Sequence, residues 1–158
     1  MTPSPQPNWP SAPTVGERLL LSAMREWAGL RLSDERPNRR VAQALAFRSS
    51  NRVAGLFVAW MQAVESGLQR PIQIQCGGAC GACGGLSMDE QRLIVSCGLA
   101  ATAPGIGEEI LGALLIDPQP VMVLARALNA ALSAEGYPLP ARLRQTPIET
   151  SVATPTLH

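Results

Sequence analysis

Three cysteines lie close together in the middle of the chain, in the stretch C-G-G-A-C-G-A-C-G-G that runs from Cys76 to Gly85. Cys76, Cys80 and Cys83 are three of the four cysteines, and the same ten residues hold five of the fourteen glycines. Glycine loses more conformational freedom on folding than any other residue, so such a run needs a reason. One reason is that a metal-binding loop turns tightly and directs backbone N–H groups at thiolate sulfurs. The stretch therefore predicts a site where three sulfurs converge on zinc or an iron–sulfur cluster.

The spacing of these cysteines resembles two known metal motifs. The five residues Cys80-Gly-Ala-Cys83-Gly84 are similar to the knuckle of rubredoxins and zinc ribbons, in which both sulfurs bind one metal. The complete C-x3-C-x2-C spacing resembles the cluster-binding motif of radical S-adenosylmethionine enzymes. Those enzymes usually carry an aromatic residue where this chain has Ala82, and 158 mainly helical residues are too few for their barrel. The resemblance therefore implies only that the three cysteines could bind a cluster. It does not imply that the chain belongs to that enzyme family.

A closed metal site needs a fourth ligand, and Cys97 is the candidate. If a helix begins near Ser87, Cys97 lies about 15 Å along its axis, which makes convergence with the other sulfurs difficult. The alternative is that Cys97 is a small buried residue of the core, as free helical cysteines often are. The only histidine, His158, is the last residue and a poor candidate. With three cysteine ligands, the fourth could be water, a small molecule or a group from another chain, which would allow a cluster shared between subunits.

Two other roles fit the same loop. Cys80 and Cys83 have the C-x-x-C spacing of thiol–disulfide proteins, although the next helix signal begins several residues later and no βαβ pattern is present. Alternatively, the protein is a non-catalytic interaction domain without metal, which uses its proline-rich tail and apolar helix faces. The sequence offers no Ser/His/Asp set, and Gly105-Ile-Gly107 lacks the lysine and the preceding strand of a phosphate loop. We therefore expect a structural, sensing or accessory role rather than catalysis.

Helix starts are marked by capping-box patterns, in which each side chain satisfies a backbone N–H that the first turn leaves free. Thr14 with Glu17 forms the first pattern, and Ser87 with Glu90 forms the second, directly after the cysteine stretch. Asp117 is a further candidate cap, with a proline tolerated in the first turn that follows.

Apolar residues at helical spacing predict five helices. These begin near Thr14, Pro37, Ser87, Ile106 and Asp117. The second contains the longest apolar stripe, formed by Val53, Leu56, Phe57, Trp60, Met61 and Val64. No alternating strand pattern of useful length is present. The predicted fold is therefore all-α, a single compact bundle of about five helices with the Gly/Cys-rich loop before the third or fourth helix.

The chain divides into one helical domain, residues 14–143, and two flexible tails. Residues 1–13 hold five prolines, which neither nucleate a helix nor donate a full strand ladder. Residues 144–158 are rich in Thr, Pro and Ser.

Composition and charge indicate which binding partners and which cellular location to expect for this protein. The net charge is +1 and the thirteen arginines are scattered along the sequence, so nucleic-acid binding is not expected. No stretch has the ~18 uncharged apolar residues of a membrane span. Since no secretory signal is recognisable, we expect a cytoplasmic protein, in which clustered cysteines favour metal or thiol chemistry over disulfides. A protein partner or a homo-oligomer is compatible with this composition.

Overall fold

The computed structural model describes residues 13–32, 37–75 and 85–142, and these form six helices. The helices are α1 (Val15–Leu32), α2 (Pro37–Arg48), α3 (Asn51–Gly67), α4 (Met88–Leu99), α5 (Pro104–Leu111) and α6 (Gln119–Ala134). Helices make up 71% of the described residues and no strand occurs among them, so the predicted all-α class is confirmed. No helix in the described part of the chain is long and apolar enough to cross a membrane.

The prediction of five helices was wrong, because the stretch predicted as the second helix forms two helices in the described structure. Ser50 has an extended backbone, with φ −158° and ψ 163°, and its side chain accepts a hydrogen bond from the N–H of Val53 at 3.1 Å. The hydroxyl of Ser49 donates to the carbonyl of Leu45 at 2.7 Å. Serine side chains compete with the helical backbone in this way, so the pair ends α2 and starts α3.

Both predicted capping boxes are confirmed. The N–H of Thr14 donates to Glu17 Oε1 at 2.8 Å, and the N–H of Glu17 donates to Thr14 Oγ1 at 3.2 Å. In α4, the N–H of Glu90 donates to Ser87 Oγ at 3.1 Å, and the N–H of Ser87 donates to Glu90 Oε1 at 3.3 Å. Each pattern satisfies backbone N–H groups that the first helical turn would leave without a partner.

The core lies around α3, which packs on α2 and α6, while α4 packs on α5, α6 and α1. Large side chains from the predicted apolar stripe fill it, and three of them, Phe57, Trp60 and Met61, are at most 1% exposed. Burial of each such side chain contributes roughly 1.5–3 kcal/mol relative to leaving it in water.

After α6 the chain turns and continues as a non-helical segment, residues 137–142, which we call the C-terminal strap. Gly136 makes the turn with φ +86°, a backbone conformation that residues with a Cβ rarely adopt. Leu139 of the strap is buried in the core.

Arg142 ends the strap as a bidentate partner of Glu17, with both N–O distances at 2.6 Å. Burial alone would raise the pKa of Glu17, but the hydrogen bonds from Arg142 and Thr14 outweigh it and hold the pKa below its ordinary value.

Candidate functional site

The three loop cysteines, Cys76, Cys80 and Cys83, lie outside the described residues, as do the predicted tails apart from Pro13. In chain order they fall between α3 and α4, that is, before the fourth helix of the described structure. What the structure describes is the pair of segments that enter and leave the cysteine stretch. We call residues 71–75 and 85–87, together with the first turn of α4, the loop base.

Glu90 joins the two sides of the loop base. Its Oε1 atom accepts hydrogen bonds from the backbone N–H of Gln75 at 3.0 Å and from the backbone N–H of Ser87 at 3.3 Å. These two nitrogens are therefore no farther apart than the sum of the two distances. Since Gln75 directly precedes the stretch 76–84 and Ser87 follows it closely, the chain enters and leaves this stretch beside a single carboxylate.

A second hydrogen-bonded connection runs from Glu90 to α1. Glu90 Oε2 accepts from Nε of Arg25 at 2.8 Å, and the same guanidinium donates to the carbonyl of Gly85 at 3.3 Å. The Glu90 side chain is fully buried, whereas that of Arg25 is 24% exposed. A buried carboxylate is stable only where charged and polar donors surround it, and Glu90 has one guanidinium and backbone N–H donors from both sides of the loop base.

Asp89 fixes the segment that leads into the loop. It accepts from the Arg70 guanidinium in bidentate fashion, at 2.9 and 2.6 Å, from the N–H of Gln73 at 2.8 Å and from Arg92 at 2.9 Å. Burial alone would raise the pKa of Asp89, but the hydrogen bonds from Arg70, Gln73 and Arg92 outweigh it and lower the pKa from its ordinary value. The carboxylate therefore stays ionised and keeps its donors in neutral solution.

The entering segment is held on its other side by apolar contacts. Ile72 and Ile74 pack against the core while Gln73 and Gln75 are exposed, an alternation typical of extended chain. The hydroxyl of Ser87 donates to the carbonyl of Gln73. The loop base is therefore an ordered structure on which the cysteine stretch is mounted.

The charges at the loop base are unequal. Three guanidinium groups, those of Arg25, Arg70 and Arg92, meet the two carboxylates of Asp89 and Glu90. The N-terminus of α4 adds the partial positive charge of the helix dipole. The surroundings of the loop base therefore favour a group of negative charge.

Cys97, the predicted fourth ligand, lies inside the hydrophobic core on α4 and is 0% exposed. Its thiol donates to the carbonyl of Ala125 on α6 at 3.5 Å. Burial raises the pKa of this thiol well above its ordinary value, so it is protonated in neutral solution. Within the described ranges, no three His, Cys, Asp or Glu side chains are grouped so that they could hold a metal ion.

We predict that Cys97 resists alkylation in the folded protein, because its sulfur is buried and protonated and the thiolate is the reactive form. Treatment with iodoacetamide at mildly alkaline pH should leave the peptide containing Cys97 unmodified, as measured by mass spectrometry. The same peptide should be modified after unfolding in guanidinium chloride. Modification of Cys97 at the same rate in both states would contradict its placement in the core.

Sequence reasoning did not identify Asp89 or the arginines as parts of this site. Glu90 was predicted only as half of a local capping box, and its bonds to Gln75 and Arg25 depend on tertiary contacts. The one available signal was the adjacent acidic pair at the start of α4, directly after the cysteine stretch. Acidic residues in a first helical turn are common for reasons of dipole alone, so this signal has little specificity.

Comparison of the chain with models of protein families, with curated proteins and with solved structures gave no match.

Proposed function

We propose that the stretch 76–84 binds a zinc ion or an iron–sulfur cluster through Cys76, Cys80 and Cys83, in a structural, sensing or accessory role in the reducing cytoplasm. The observation that supports this proposal best is the closure of the loop base on Glu90. The charges around the loop base also support this proposal.

Loop closure lowers the entropic cost of forming a metal site. A free chain must give up conformational entropy to bring distant ligands together, and this cost grows with the length that has to be closed. Here the hydrogen bonds from Gln75 and Ser87 to Glu90 already bring both sides of the stretch together. The binding energy of the metal then has to order only the residues between them, which is the advantage of a preorganised site.

Charge favours the same ligand class. Three thiolates around a divalent metal carry a net negative charge, as do three thiolates around an iron–sulfur cluster. Three guanidinium groups contact the two carboxylates of the loop base, which lies at the positive end of the α4 dipole. Backbone N–H groups from the glycines of the stretch would supply the hydrogen bonds that tune thiolate ligands.

In the proposed site the chain supplies three ligands, and Cys97 stays in the core. The fourth position would then be taken by water, a small molecule or a group from another chain. The last option would make a dimer with a shared cluster, and gel filtration of the metal-loaded protein would detect it by its size.

Elemental analysis of freshly, anaerobically purified protein is the deciding measurement. We expect about one zinc per chain and no colour, or iron with sulfide and visible absorbance. Single variants Cys76→Ser, Cys80→Ser and Cys83→Ser should each lose most of the metal while keeping the helical circular dichroism signal. Cys97→Ser is the matched control and should keep the metal content of the wild type.

Three outcomes would decide against the proposal or revise it. A metal-free protein with a reversible Cys80–Cys83 disulfide would support thiol–disulfide chemistry instead. A metal-free protein with inert thiols would leave an interaction domain. Loss of metal in a well-folded Cys97→Ser variant would show that Cys97 is a ligand and that the core opens to release it.

A further inference from the structure

Arginines that are scattered in the sequence are gathered along one side of α1. A groove of about 630 Å³ lies between α1 and α2, and its lining includes Arg18 and Arg25 from α1 and Arg40 from α2. A neighbouring groove of about 410 Å³ shares Arg18 with the first and adds Arg48. These arginines line the two grooves of a chain whose net charge is only +1, and one of them, Arg25, is ion-paired with Glu90.

Among the described residues that line the two grooves, Glu26 is the one acidic residue. Arg18 is exposed, and no described carboxylate forms an ion pair with it. Arg25 is held in place by Glu90 and by the carbonyl of Gly85. In the larger groove, Arg18 therefore has no described acidic partner, whereas Arg25 is held in position by the loop base.

Apolar side chains also line the larger groove. Leu21 and Leu30 line it, and both are half-buried. Gly29 also lies in the lining, and a Cβ placed on it would meet no atom of the described residues within 4 Å. The missing side chain therefore leaves open space within a helix that otherwise carries side chains along this face.

We propose that this groove binds a small organic anion whose carboxylate or phosphate contacts Arg18, while its apolar body rests on Leu21 and Leu30. Guanidinium groups match the geometry of carboxylate and phosphate oxygens, and small-ligand sites combine apolar contacts with a few polar groups that fix the orientation of the ligand. This inference does not depend on metal binding by the cysteine loop.

The test uses three simple probes on the full chain: phenyl phosphate, benzoate and the neutral benzyl alcohol. Binding is followed by the amide shifts of Ser22 and Gly29 in nitrogen-15 NMR spectra. We expect at least one of the two anions to bind saturably and benzyl alcohol to bind about tenfold or more weakly than that anion. The comparison of phenyl phosphate with benzoate distinguishes a phosphate ligand from a carboxylate ligand.

Two matched pairs of variants locate the site. Arg18→Gln and Gly29→Leu should each weaken binding by about tenfold or more, since they remove the charge and fill the open space. Two variants outside the groove should bind as the wild type does. These are Arg126→Gln, on the exposed surface of α6, and Gly55→Leu, at a glycine of α3 whose Cβ would also meet no described atom within 4 Å. Thermal unfolding confirms that all four are folded. Absence of binding by both anions, equal binding of benzyl alcohol, or unchanged affinity in Arg18→Gln and Gly29→Leu would overturn the proposal.

Discussion

Glu90→Ala is expected to lower the free energy of unfolding by about 2–4 kcal/mol, because it removes a buried acceptor from three donors at once. The backbone N–H groups of Gln75 and Ser87 and the guanidinium of Arg25 would all lose this partner. The two sides of the loop base would then no longer be joined. If the cysteine stretch binds metal as proposed, the variant should also retain less metal after gel filtration than the wild type.

Chemical denaturation and elemental analysis of the same samples measure both effects. Glu109→Ala, at an exposed position of α5, is the matched control and should change the unfolding free energy by less than about 0.5 kcal/mol. Glu90→Gln keeps an acceptor for the two backbone donors but loses the charge that Arg25 meets, so its stability should lie between those of wild type and Glu90→Ala. Wild-type stability in Glu90→Ala would show that the loop base does not depend on this carboxylate.

Gly98→Ala is expected to destabilise the protein by about 1–3 kcal/mol, since the added methyl group meets backbone that cannot move aside alone. A Cβ on Gly98 would lie 2.3 Å from the carbonyl oxygen of Pro140 in the C-terminal strap. Relief of this overlap requires the strap to shift, although Leu139 and Arg142 fix it on either side of Pro140. The change in the free energy of unfolding, measured in urea, tests this expectation.

Gly55→Ala is the contrasting variant. Gly55 is also a glycine within a helix, but none of the described atoms lies within 4 Å of the position that its Cβ would take. The substitution should stabilise the protein by roughly 0.5–1 kcal/mol, the gain of alanine over glycine in an open helix position. Opposite signs for the two substitutions are therefore expected. Equal effects at both sites would mean that the strap does not pack on α4 as described.

Some features of this fold follow from short-range patterns in the chain. Thr14 with Glu17 and Ser87 with Glu90 form their capping boxes because each pair needs only one helical turn to meet. The stripe from Val53 to Val64 is buried, apart from the partly buried Leu56, because residues three and four apart share a face of any helix. These contacts are local, so they can be predicted without knowledge of the rest of the structure.

The boundary between α2 and α3 shows where pattern alone was insufficient. The apolar spacing across this region is compatible with one long helix, and only the adjacent Ser49 and Ser50 indicate a break. Serine also occurs inside helices, so the outcome depends on whether its hydroxyl takes a capping role. Here Ser50 takes an extended backbone and its side chain accepts the hydrogen bond from the N–H of Val53.

The part of the candidate site that the structure describes was the hardest to foresee. Glu90 meets Arg25 across 65 residues of sequence, and Glu17 meets Arg142 across 125, so no local spacing indicates either pair. The sequence left open whether Cys97 is a ligand or a core residue, and in the described structure its thiol donates a hydrogen bond to the carbonyl of Ala125. Local sequence was sufficient for helices, caps and the apolar faces, because those depend on neighbours within one or two turns. Tertiary packing alone decided which distant charges meet, which glycines allow backbone contact and where the arginines gather, because these depend on how the helices cross in space.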